Sequence, residues 1–258
     1  MGIVELQRAW EENGAQILAK HAERDAKREA ARGTFLQEME LFFSGGKSLE
    51  AFRERMDSLT KGKDYWGAKG LSGQMVLNIL CIAAEPEELA EGIKRVLPAP
   101  QSKTDAKEKL VAFLEVVEEA RMRAKSTGVT QPQVGRINSW VSFYWELQDV
   151  ERWPRFFSTS RDVLEAEGLL RADGLHPDRY LEYLEVLADL KQRLGTSTWG
   201  IEHLLWYVGK EMSQHPALTI YESYEAKGLH YPDDLITSLV LSLATKRLVI
   251  LSGISGTG

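Results

Sequence analysis

The residues best suited to chemistry in this chain are its last six, Gly253-Ile-Ser-Gly-Thr-Gly258. Glycines at this density let successive backbone N–H groups turn inward around phosphate oxygens, with no side chain in the way. In a complete phosphate-binding loop, a lysine for the β/γ-phosphates and then a Ser or Thr for magnesium would follow at a helix N-terminus. Gly253, Ile254, Ser255, Gly256, Thr257 and Gly258 are therefore the candidate nucleotide-binding residues. The competing interpretation is a flexible glycine tail.

Upstream, the aromatic residues Trp140, Phe143, Tyr144, Trp145, Trp153, Phe156 and Phe157 could stack on a flipped or single-stranded base, with Arg152, Arg155 and Arg161 nearby for phosphates. Aromatic side chains also build cores, and packing is the favoured role. If the sharper idea holds, Trp145, Trp153, Arg152, Arg155 and Arg161 are the residues that contact DNA. Tyr65 to Gly73 resembles a glycine-rich anion loop, but no apolar strand precedes it, and a structural loop is favoured. Arg121 to Lys125 is a basic helix end that dipole complementarity explains. His21, His176, His203, His215 and His230 show no metal-ligand spacing, so no metal site is expected. His203 beside Glu202 looks like an ordinary surface or core pair on a helix. Cys81, the single cysteine, lies in an apolar run, which excludes a disulfide framework and favours a reduced compartment. No nucleophile, base and metal constellation emerges, so no catalytic residue can be named.

Elements must aim the terminal loop. Asp233 or Asp234 can cap a helix whose apolar residues, from Leu235 to Ala244, recur at helical spacing. Leu248-Val-Ile-Leu251 then reads as a buried parallel strand leading into the glycines. The front of the chain reads as helices: Val4 to Arg32, with a solvated or partner-facing half from Lys20; a second through Phe35 to Phe43; and a third from Ser48. Further helices are expected from Gln74 to Ala84, from Pro86 to Leu97, and through Leu110 to Ala120. Small polar residues, glycines and a proline between Ser126 and Gly135 suggest a boundary. Trp140 to Gln148 is rich in β-favouring residues and suits a short strand, with a helix from Ser139 as the alternative. Helices are expected again from Ser160 to Glu167, from Pro177 to Leu194 and from Gly200 to Lys210. The expected fold class is mainly α: a helical domain at 1–126, a mixed α+β or helical middle domain at 127–228, and at 229–258 the first helix and strand of an α/β domain. Hydrophobic residues at 43% and charged residues at 27% suit a folded globular chain, and a net charge of −6 argues against a surface that binds polyanions everywhere. No run of about 18 apolar residues or signal-peptide pattern occurs, so a cytoplasmic protein is expected.

The string TSLVLSLATKRLVILSGISGTG, with the residues from Tyr231 that lead into it, resembles the entry into the AAA+ module of McrB-type NTPases, motor subunits of modification-dependent restriction systems. YWGAKGLSGQM, from Tyr65, and SFYWELQDVERWPRFFSTSR, from Ser142, resemble regions that precede this module in related proteins. The resemblance implies a hexameric motor that hydrolyses ATP or GTP with Mg, partnered by a McrC-type nuclease, whose N-terminal region selects a target such as DNA. Gly253 to Gly258 carry over as the start of its phosphate loop. The lysine, the magnesium-binding hydroxyl, the Walker B acid and the arginine finger would lie further along, so these 258 residues alone are expected neither to bind nor to hydrolyse nucleotide measurably. The alternative is a protein-interaction adaptor of a related AAA+ motor without DNA contact, which the acidic charge and helical front would suit.

Overall fold

The computed structural model describes residues 2–61, 65–66, 73–171 and 176–214. The chain falls into two compact units, Met1–Trp206 and Tyr207–Gly258. In the second unit the described residues are 207–214, the last turns of a helix. The expected helix at 235–244, the strand Leu248 to Leu251 and the loop Gly253 to Gly258 all lie outside the described residues.

The described residues are mainly helical and contain no strand. Helix α1 runs Ile3–Phe43 without interruption, merging the two helices expected there. Gly33 weakens such a helix by only about 1 kcal/mol. Buried anchors on both sides of it, Ile17 before and Phe35, Met39 and Phe42 after, outweigh that cost. α2 (Leu49–Thr60) is capped by Ser48, whose hydroxyl accepts from Ala51 N–H at 3.2 Å. α3 (Gln74–Ala83) is followed by α4 (Pro86–Val96), which has proline in its first turn, Glu87 and Glu88 at its positive end, and Lys94 and Arg95 at its negative end. α5 (Lys103–Thr127) starts at the Ser102 cap and stops at Gly128, whose φ of +74° suits glycine. α4 and α5 pack closely because position 92 is glycine: a Cβ there would sit 3.3 Å from Val116.

Beyond a single 3₁₀ turn at Val134–Arg136 comes α6 (Ile137–Gln148), where a strand was one of the two expectations. Every residue from Ile137 to Leu147 is buried. Such a segment is buried on every side, so no exposed face sets a period that would distinguish strand from helix. A strand would also need a neighbour to pair with, whereas a helix satisfies its own backbone. The middle region is thus helical rather than mixed among the described residues: α7 (Ser158–Ala166), α8 (His176–Leu194) and α9 (Thr198–Gln214) complete it. α5 packs on α8 and α1 on α6, so the stretch 126–135 joins helices within one unit rather than separating two domains.

Around α6 the polar ends are satisfied from outside. Arg32 of α1 donates to the carbonyls of Leu147 at 2.7 Å and Gln148 at 2.9 Å, filling acceptors that a helix C-terminus leaves open. The Gln148 amide bridges the end of α4, donating to Leu97 O and accepting from Ala99 N–H, both at 2.8 Å.

Candidate functional site

The structure divides the five residues expected at a DNA contact. Trp145 is fully buried; its indole N–H donates to Val96 O at 2.8 Å, and its ring packs against Trp153 and Tyr180. Trp153 is also buried. Arg155 is buried as well: its guanidinium donates to the Trp66 carbonyl and lies over the rings of Phe143 and Phe157. With their faces covered by protein, Trp145 and Trp153 offer no platform for a base, and Arg155 offers no charge to a phosphate; all three hold the core together. Arg152 is exposed and stacks over Trp153 at 5.3 Å, and Arg161 is partly exposed and pairs with Asp162. Tyr65 and Trp66, from the glycine-rich segment, act as anchors: Arg24 and Arg28 donate to Tyr65 O at 2.9 and 2.6 Å, and Trp66 packs edge-on against Phe35.

A second constellation, not expected from the sequence, lies among α1, α6 and α9. His21, Asp25 and Arg28 sit at positions i, i+4 and i+7 of α1, one helix face. Arg28, with 0% of its surface exposed, makes a bidentate pair with Glu202 at 2.9 and 2.6 Å. His203 meets Asp25 at 2.8 Å through Nε2 and stacks on His21 with ring centroids 4.1 Å apart; Trp206 closes the group edge-on to His21. Glu146 of α6 accepts the Trp199 indole N–H at 2.9 Å, while its second oxygen is buried without a hydrogen-bond partner. The expectation of a solvated or partner-facing half from Lys20 onward therefore fails at His21 and Arg28, which face Glu202 and His203 of α9. The i, i+4, i+7 spacing was the one available signal. Its partners on α9 were hidden by sequence distance.

Electrostatics fits a structural role for this cluster. Burial, and then the neighbouring Glu202 charge, raise the Glu146 carboxyl to about 7, against the pull of Arg28. Burial, followed by the adjoining His203, lowers His21. Because the folded state holds a Glu146 proton between its ordinary value of 4.5 and about 7, where the unfolded chain has released it, the stability owed to this group falls as pH rises through that window. Glu146→Gln keeps an acceptor for Trp199 and removes the buried anion. Urea unfolding at pH 5 and pH 8 should show the variant gaining on the parent at the higher pH, by up to roughly 3 kcal/mol. Equal pH profiles would refute a neutral-leaning buried acid. His21, lowered rather than raised, acts with the opposite sign below 6.5, so the readout is the difference between variant and parent.

The third feature is a groove of about 480 Å³ where the start of α5, the α6–α7 connection and the end of α8 meet. Lys103, Arg152 and Lys191 line it, over a floor that includes Pro154, Leu184 and Leu187. Glu151, the carboxylate among its described lining residues, is held by Lys191 and accepts from Thr198 Oγ1 at 3.1 Å and Thr198 N–H at 3.3 Å, capping α9.

Among the described residues, no group of three or more His, Cys, Asp or Glu side chains could hold a metal ion. The Cys81 thiol, pushed up to about 11 mainly by burial, is not poised as a nucleophile. No helix of the described residues is long and apolar enough to cross a membrane. Fold and site together define a helical domain clamped by a buried ion cluster and carrying a cationic groove on its surface. No protein-family model, curated protein or solved structure matches the chain.

Proposed function

We propose that this chain is the N-terminal target-recognition or assembly region of a McrB-type AAA+ NTPase, acting in a restriction or defence system. What supports the reading is the sequence order across residues 233–258, an acidic pair, apolar residues at helical spacing, a continuous apolar run and then closely set glycines, which is the order a phosphate loop requires. In this reading the intact cytoplasmic protein binds ATP or GTP with Mg through a loop that begins at Gly253 to Gly258, assembles as a hexamer through its AAA+ module, and works with a McrC-type nuclease. In this reading hydrolysis is the work of the AAA+ module rather than of the first unit. Its task is to select a target or to hold a partner.

The test is fluorescence anisotropy of labelled modified and unmodified DNA duplexes, titrated with the 258-residue chain at several salt concentrations. Target recognition predicts binding that weakens steeply with salt, since each neutralised phosphate contributes close to one unit of slope in log–log form. Absence of DNA binding at low salt would remove that role and favour the protein-interaction adaptor. The net charge of −6 already suits that alternative.

A further inference from the structure

We propose that the groove at the start of α5 and the end of α8 binds the phosphate of a nucleotide-sized ligand, with the ligand's ring system lying on the apolar floor. Lys103, Arg152 and Lys191 come from three separate parts of the chain and converge on one cavity. In a protein of net charge −6, such a concentration of positive charge selects an anion. Arg152 is already oriented: one N–H is bound to the Gln101 carbonyl, and its plane lies over Trp153. A guanidinium fixed in this way loses little freedom when it grips a phosphate with its remaining N–H groups.

The acidic partners present do not cancel the site. Lys103 meets Glu185 at 3.0 Å, but both side chains are more than half exposed, and such pairs contribute little to stability and exchange readily for a better anion. Glu151 is committed to the first turn of α9 through Thr198, and to Lys191. Ser102 and Thr198 also line the cavity. A volume of about 480 Å³ falls in the range of small-molecule sites, which combine an apolar lining with a few placed polar groups. Inorganic phosphate would leave the floor of Pro154, Leu184 and Leu187 unused, whereas a nucleotide unit engages both parts. The lining residues all belong to the first unit, and the inference does not depend on the motor reading; nucleotide bound here would overturn the expectation that these 258 residues bind none measurably.

Isothermal titration of the 258-residue chain with AMP, adenosine, inorganic phosphate and a short single-stranded oligonucleotide tests it. AMP should bind at least about tenfold more tightly than adenosine or phosphate alone, and Arg152→Gln and Lys103→Gln should each weaken it by about tenfold. Both residues are exposed, so thermal unfolding of the variants should match the parent. Tighter binding of the oligonucleotide, lost equally in Arg152→Gln, would identify the phosphate source as a nucleic-acid strand rather than a free nucleotide. The inference is overturned if neither AMP nor the oligonucleotide binds at about 1 mM, if adenosine binds as well as AMP, or if both substitutions leave affinity unchanged.

Discussion

Arg28→Ala should destabilise the first unit by about 3–5 kcal/mol, the range found when one partner of a buried ion pair is removed. The loss exceeds that of a surface pair because Arg28 faces several groups at once. Its guanidinium binds both oxygens of Glu202, its Nε–H reaches the Tyr65 carbonyl at 2.6 Å, and its plane lies 5.4 Å from the Trp199 ring. Without it, Glu202 and Glu146 face each other near Asp25 with no guanidinium between them. Arg28→Lys should recover only part of the loss, since an ammonium cannot reproduce the fork. Urea unfolding followed by circular dichroism provides the measure. A loss below about 1 kcal/mol for Arg28→Ala would mean that the cluster is dispensable.

Trp145→Ala is expected to cost a similar amount, about 3–5 kcal/mol, by opening a cavity in the centre of α6's packing. The side chain is completely buried, contacts Trp153 and Tyr180, and supplies the donor for Val96 O at the end of α4. Trp145→Phe separates the two contributions: it restores much of the ring packing but leaves the carbonyl without its donor, a loss of about 1–3 kcal/mol. The pair of variants also decides between structure and recognition. If Trp145 served base stacking, Trp145→Ala would abolish ligand binding while the fold stayed near parental stability. The burial predicts the reverse, with stability falling first.

Several elements were legible before any coordinates. Ser48 marked the start of α2, and Pro86 with Glu87 and Glu88 marked the start of α4, because caps and dipole partners act within a turn of the residues they serve. Boundaries fared less well where a local signal was weak: Gly33 was taken to lie near a break but passes inside α1. The candidate site was legible only in part. Arg152 stood with Arg155 and Arg161 as a phosphate contact, and nothing in the run from Arg152 to Arg161 distinguished the exposed Arg152 from the buried Arg155.

What the amino-acid order determined by itself is the helical character and the helix starts at Ser48 and Pro86, set by interactions between residues a few positions apart. Tertiary structure decided that α6 is a helix, that Trp145 is core, and that Arg28 is paired rather than solvated. Arg28 and Glu202 are 174 positions apart, and Lys103, Arg152 and Lys191 come from three different segments. Pairing over such separations depends on how helices pack against one another, so the identity of the partner leaves no trace in the spacing of neighbouring residues.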